Sequence, residues 1–275
     1  LPVTPEVSVI LPVYNSGRHL RKAMDSVLAQ TFQNFELIII NDGSTDDSEQ
    51  IILGYHDQRI RYYANEGNKG LIFSLNKAID LAAGRYIARM DADDICAPER
   101  LQVQKEWLDA HPASSINACH IAFMDEHDAP AGYWPLEMQT VSPAHIRQVL
   151  PRENCIAHPS VMGRSEIFRQ YKYAGYQRHI EDYDLWLRLA ADGKVIDKVD
   201  QVLLHYRIHG QSVTSTHLQT RNVFFKQYHC KRRFLYHRLR AGRFGSFEGK
   251  VLGRMLADGM MGCMKNIKKN FRRRT

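Results

Sequence analysis

No apolar run in the 275-residue chain approaches the length of a membrane span. The first residues lack the basic-then-apolar pattern of a secretory leader, so nothing marks the chain for export. Cysteine is sparse: five residues, at positions 96, 119, 155, 230 and 263, an odd count with wide and irregular spacing. That excludes a disulfide framework and a zinc-ribbon spacing, and the default is a reducing cytoplasm. Neither G-x-G-x-x-G nor G-x-x-x-x-G-K-[ST] occurs, which argues against dinucleotide and P-loop chemistry. Any phosphate bound here must be neutralised by other means, chiefly a metal. Acidic residues run out toward the C-terminus: residues 218–275 carry sixteen Lys/Arg against only Glu248 and Asp258. The net charge of +7 therefore hides an acidic body and a strongly basic tail. No internal repeat or low-complexity segment is present.

What the chain does have is Arg89-Met90-Asp91-Ala92-Asp93-Asp94, preceded by the short apolar run Tyr86-Ile87-Ala88. The acids sit where a buried strand would emerge. Three carboxylates within four residues repel one another, and a cation relieves that repulsion. Mg2+ and Mn2+ are hard ions that take carboxylate oxygens and keep positions open for substrate phosphates. The bland alternative is a solvated acidic turn.

The preceding chain alternates strand and helix patterns. Val7–Val13 is β-branched and apolar, the pattern of a strand covered on both faces. Asn15 or Ser16 then caps a helix whose apolar face is Leu20, Ala23, Met24, Val27 and Leu28. Glu36–Ile40 is a second buried strand, ending at Asn41-Asp42-Gly43-Ser44 before another helix start. Ile60–Tyr63 is a third, and Leu71, Leu75, Ala78, Ile79 and Ala82 make an amphipathic helix stopped by Gly84. Tyr86–Met90 follows. This predicts βαβ units, hence an α/β fold with a mainly parallel central sheet and helices on both faces. Ligands bind beyond the carboxyl ends of such strands, where Tyr14, Asp42 and Asp91 all fall.

Further on, Pro98 is expected to open a helix, Ser114–Met124 to be a strand, and Ser142-Pro143 to start a short helix to Leu150. Residues 125–141 are turn-rich and resist assignment. Cys155–Met162 is expected extended, Glu181–Ala190 helical with acids in its first turn and Gly193 at its end, and Val202–Ile208 a strand. A linker is expected near 212–218.

The chemistry can be placed on these elements. Asp42 is either an acceptor for a nucleobase imide N–H or a turn aspartate. Lys69 meets a base or a phosphate, or is an ordinary surface lysine. Asp91 and Asp93 fit a ribose hydroxyl and a metal. Trp186 falls at core spacing, whereas Trp134 stands in a turn-rich segment open to stacking on a sugar.

Taken in order, Val9-Ile-Leu-Pro-Val-Tyr-Asn15, Asn41-Asp-Gly-Ser-Thr-Asp46, Asn68-Lys-Gly70, Asp91-Ala-Asp-Asp94, His158-Pro-Ser160, Glu181-Asp182 and Tyr206-Arg-Ile-His209 resemble the inverting glycosyltransferases of family 2, bacterial type, which have the GT-A fold. The resemblance covers roughly residues 6–215. It implies a GT-A domain over 1–215, with a nucleotide-binding half to about 95 and an acceptor half from 96, and a basic helical extension over 216–275. It further implies that Pro12 and Tyr14 line the nucleoside pocket with Asp42 on the base. Asp91 would lie near the ribose, Asp93 would bind the Mn2+ or Mg2+ that bridges the diphosphate, and Arg207 and His209 would approach diphosphate or metal. Asp182 matches the general base, with Glu181 as its rival or as an acceptor-orienting group; Asp184 is the structural acid of the three, and His158 and Ser160 are structural or acceptor-side.

The implied activity is transfer of a hexosyl or N-acetylhexosaminyl unit from a UDP-linked donor to a hydroxyl of a saccharide or lipid-linked acceptor, with inversion. A wall or surface polysaccharide, or its lipid-linked precursor, would be the product. The rivals are a metal-dependent sugar-1-phosphate nucleotidyltransferase and a non-catalytic nucleotide-sugar-binding module. The tail mixes cations with Phe224, Phe225, Phe234, Leu235, Leu239, Val251, Leu252, Met255, Leu256 and Met260, giving two helices broken around residues 241–246. It suits either an anionic membrane surface, at the inner face of the plasma membrane, or a packed extension with a solvated basic face. Without a base-reading motif it does not suggest nucleic acid.

Overall fold

The computed structural model describes residues 4–177, 180–210 and 223–271. The expected linker near 212–218 and the terminal Arg272–Thr275 lie outside the described residues.

The first half follows the βαβ pattern. Strands β1 (Val7–Val13), β2 (Phe35–Asn41), β3 (Ile60–Ala64) and β4 (Tyr86–Arg89) alternate with helices α1 (Gly17–Leu28), α2 (Ser48–Leu53) and α3 (Leu71–Leu81). β1 and β2 are buried along their whole length, because successive side chains enter cores on opposite faces. Ile10, Ile38 and Ile40 pack toward α3, while Val9, Leu11, Leu37 and Ile39 join the core under α1. Order β3-β2-β1-β4 is parallel throughout.

The second half comprises β5 (Ile95–Cys96), α4 (Arg100–Ala110), β6 (Ser114–Met124), β7 (Pro130–Tyr133), α5 (Pro135–Gln139), α6 (Pro143–Val149), a 3₁₀ turn (His158–Ser160), β8 (Val161–Arg164), α7 (Ser165–Tyr171), α8 (Glu181–Ala191) and β9 (Val195–Arg207). Here the mainly parallel expectation narrows: the sheet continues β4-β8-β6-β9-β5, and of these pairs only β6–β9 is parallel. Two helices close the chain, α9 (Val223–Arg240) and α10 (Ser246–Phe271), broken where the sequence suggested.

Several local expectations are corrected. Pro98 sits in a turn two residues ahead of α4. Cys155–Met162 is not extended throughout, since residues 158–160 form the 3₁₀ turn before β8. The strand expected from Val202 begins seven residues earlier, at Val195. The segment 125–141 holds β7 and α5, and α7 was not foreseen. Gly84 does not cap α3, whose C-cap is Ala82. It is required by close approach: a Cβ there would lie 2.7 Å from the Ser8 backbone nitrogen.

The same register builds the functional edge. β4 stops opposite Ile10, so Met90 and the acids after it leave the sheet while β1 runs on toward Tyr14. β5 turns back antiparallel to β9, with Ile95 opposite His205, which brings residues 91–94 beside 207–209.

Candidate active site

The carboxylates of Asp91, Asp93 and Asp94 place one oxygen each within 4.8 Å of one another. Asp94 is buried; its Oδ1 accepts the Arg207 backbone N–H at 2.8 Å, and its Oδ2 has no hydrogen-bond partner. Burial and the charges of Asp93 and Asp91 hold the Asp94 carboxyl well above the usual range. Asp91 is also raised, by burial first and by Asp93, while its ion pair with Arg89 works the other way. Asp93 Oδ2 lies 2.9 Å from His209 Nε2. A site of three mutually repelling oxygens, one of them orphaned, with an imidazole alongside, has the donor set of a hard divalent cation.

Arg207 is buried, and its guanidinium is engaged through Nε and Nη1 while Nη2 has no hydrogen-bond partner. Nε donates to the Asp93 carbonyl at 2.7 Å, and Nη1 donates to the Asp125 carbonyl and pairs with Asp128. The side chain thus ties the acidic loop to the 125–128 turn. His19, on the first turn of α1, stands with its ring centre 5.6 Å from that of His209, and its buried Nε2 has no partner. Burial and the neighbouring Arg207 lower its basicity.

The nucleotide-side residues are distributed along the same edge. Tyr14 is 48% exposed just past β1, whereas Pro12 is buried within the strand. Asp42 is only 3% exposed and accepts three donors, from Asn65 Nδ2 and the backbone N–H groups of Lys69 and Gly70, at 2.8–2.9 Å. Its carboxylate therefore clasps the 65–70 loop. Gly43 makes that clasp possible: its φ is +71°, and a Cβ would come within 2.4 Å of the Gly67 Cα. Lys69 itself is exposed. The helix after β1 is not capped by its own Asn15 or Ser16 side chain. The Gly17 N–H instead donates to Asp46 Oδ2 at 2.9 Å, and Ser16 N–H to Ser48 Oγ, so the turns after β1 and β2 are stitched together.

The second acidic group opens α8. Glu181 is 6% exposed, and burial, then the Asp182 charge, pushes its carboxyl up to about 7. Asp182 is less enclosed, is also raised by burial, and accepts a hydrogen bond from Asn154 Nδ2 at 2.9 Å. Asp184 is fully buried against Gln177 and Arg188, a structural acid. His158 donates to or accepts from the Tyr173 hydroxyl at 2.7 Å, with burial and Arg89 keeping the ring well below its usual basicity. Ser160 is bonded to the Ala157 carbonyl, Trp186 is in the core that packs α3, and Trp134 is half-buried against the other core, under α1.

Arg89 acts on both acidic groups. It is buried, pairs with Asp91, and its positive charge lowers Glu181 and Asp182 as well. Arg89 and His19 have no expected role in the sequence, and Asp94 enters there only as one of the three carboxylates that call for a cation. Arg89 stands within the acidic motif, and an arginine closing a buried strand was the available signal. For His19, on an otherwise ordinary amphipathic helix, there was none.

Comparison with known proteins identifies the family and the fold. The family model "Glycosyl transferase family 2" matches residues 8–172. The O-antigen biosynthesis glycosyltransferase WbnJ of Escherichia coli is 33% identical over 224 residues, covering 79% of this chain and 85% of that protein. Staphylococcus aureus TarS 1–349, solved with UDP-GlcNAc, superposes with a TM-score of 0.73 at 19% identity, covering 92% of this chain and 72% of the other. The mannosyltransferase PcManGT of Pyrobaculum calidifontis, solved with GDP-Man and Mn2+, gives 0.60 at 16% identity, over 94% and 70% respectively.

Proposed function

The chain belongs to glycosyl transferase family 2 and has the GT-A fold, and from that premise we propose that it is an inverting, cation-assisted enzyme moving a sugar from a UDP-linked donor to a hydroxyl of a saccharide or lipid-linked acceptor. Membership displaces the nucleotidyltransferase and the non-catalytic module. The observation that carries the reading is that two acidic groups, Asp91/Asp93/Asp94 past β4 and Glu181/Asp182 at the start of α8, both feel the buried charge of Arg89.

In this reading Tyr14 offers its exposed ring to the nucleoside, Pro12 shapes the strand end beneath it, and the base is approached by Asp42, just past β2, and by Lys69 from the 65–70 loop that Asp42 clasps. Asp91 takes the ribose side. Asp93 and His209, with Asp94 behind them, would hold Mn2+ or Mg2+, which supplies Lewis-acid neutralisation of the leaving diphosphate. Arg207 orients the acidic loop and adds positive charge beneath it. The acceptor oxygen attacks the anomeric carbon as the bond to the diphosphate oxygen breaks, and the hydroxyl proton passes to Asp182. Asn154 holds that carboxylate in place. Such help is typically worth about 10²–10⁴-fold. A single displacement opposite the leaving group inverts the centre. WbnJ, an O-antigen biosynthesis enzyme, supports an envelope polysaccharide or its lipid-linked precursor as the product class. The corresponding location is the cytoplasm, at the inner face of the plasma membrane.

Calorimetric titration with UDP tests the core of this. Binding is expected with Mn2+ and is expected to collapse both in excess EDTA and in Asp93→Ala. Equal binding in all three conditions would overturn the reading.

A further inference from the structure

Helix α10 has two apolar faces, and only one of them is covered. Phe247, Val251 and Met255 are buried in the core shared with α9. At about 100° per residue the opposite side of the helix should be polar. Instead it carries Leu252, Leu256, Met260 and Met264, which are 38%, 56%, 64% and 59% exposed, with Gly253 and Cys263 between them. A contiguous exposed apolar strip of this kind marks an interaction surface.

Charge identifies what it meets. The two acids of the tail both point inward: Asp258 pairs with buried Lys231 at 2.6 Å, and Glu248 with Arg238 at 2.8 Å. No acid of the tail remains to offset the exposed Lys250 and Arg254, which stand one turn apart on one flank of the strip. The turn before α10 adds exposed Phe244. An apolar strip bordered by uncompensated cations matches an interface with acyl chains below and anionic headgroups at the rim. A second copy of the chain would bring the same cations into opposition.

We propose that the exposed face of α10, Leu252-Leu256-Met260-Met264 with Lys250 and Arg254, is a docking surface for an anionic lipid bilayer. The helix lies in the interface plane and does not cross it; among the described residues no helix is long and apolar enough to span a membrane. The platform is fixed to the catalytic domain through α9. Cys230 O accepts from Gln177, which also holds Asp184 of α8, and Lys231 Nζ donates to the Arg152 carbonyl. The proposal shares with the preceding section only the expected membrane-side location. Its readout needs neither donor nor turnover, so each can fail alone.

The test is flotation of the full chain with vesicles of phosphatidylcholine, with or without phosphatidylglycerol. Binding is expected to the anionic vesicles and not to the neutral ones, and to weaken with salt. The exposed L256E/M260E double substitution should abolish it while leaving the melting temperature unchanged. If that variant misfolds, K250A/R254A serves instead, with a loss of about five-fold in vesicle affinity per cation removed. Absence of binding, equal binding to neutral vesicles, or a dimer in sedimentation that L256E/M260E dissociates would overturn the proposal.

Discussion

Glu181 and Asp182 are adjacent and chemically alike, and their surroundings separate them. Glu181 is the more deeply enclosed, with its carboxyl raised from 4.5 to about 7. Between those values the folded protein keeps the proton while the unfolded chain releases it, so folding stability falls as pH rises through the window, and the penalty is complete above about 7. The shift corresponds to about 3 kcal/mol. Glu181→Gln is therefore expected to stabilise the protein at pH 8 by up to that amount and to have no effect below pH 4.5, as read from denaturant midpoints at the two pH values. Asp182→Asn should behave differently at the level of turnover, losing transfer by about 10²–10⁴-fold with UDP affinity retained. Unchanged transfer in Asp182→Asn together with loss in Glu181→Gln would exchange their roles.

At the scale of elements, the junction of β6, β9 and α5 rests on a buried ionic group. Glu137 of α5 is fully buried, lies 2.8 Å from Lys198 Nζ of β9, and meets His120 Nδ1 of β6 at 3.1 Å. Removing one member of such a pair leaves the other charge in a dry interior. Glu137→Ala is expected to destabilise by about 3–5 kcal/mol in urea unfolding, with most of the loss recovered in Glu137→Ala/Lys198→Met, where both charges are gone. This junction also shows where the sequence became hard to read. β1, β2 and α1 were legible because their apolar residues repeat at strand or helix period and their ends carry turn residues. α5 was not, since Pro135-Leu-Glu-Met-Gln139 is a single turn stabilised from outside by Lys198, a contact across 61 residues. The acidic strand end was legible as a motif. The commitment of Asp42 to the 65–70 loop and the burial of Arg207 between two loops were not, because both depend on which loops the fold brings together.

At the scale of the whole molecule, the structure gives no reason to treat the basic extension as an appendage. Cys230, Phe234 and Leu235 of α9, with Phe247, Val251 and Met255 of α10, belong to the same apolar cluster as Tyr183 and Trp186 of α8 and Ile10 of β1. Asp192, just past α8, pairs with Arg238. The helix that presents Glu181 and Asp182 is thus held between the sheet and the tail, and removing the tail would open one of its sides to water. Ordinary burial of each large apolar side chain contributes roughly 1.5–3 kcal/mol, so five such losses rival the whole margin of a typical domain. The full chain is expected to melt in one cooperative transition by calorimetry. A chain ended at residue 215 should either fail to show that transition or show it far lower, with dye binding that reports exposed core. Two separable transitions in the full chain, or an undisturbed transition after truncation, would instead establish the extension as an independent domain and free α8 from any dependence on it.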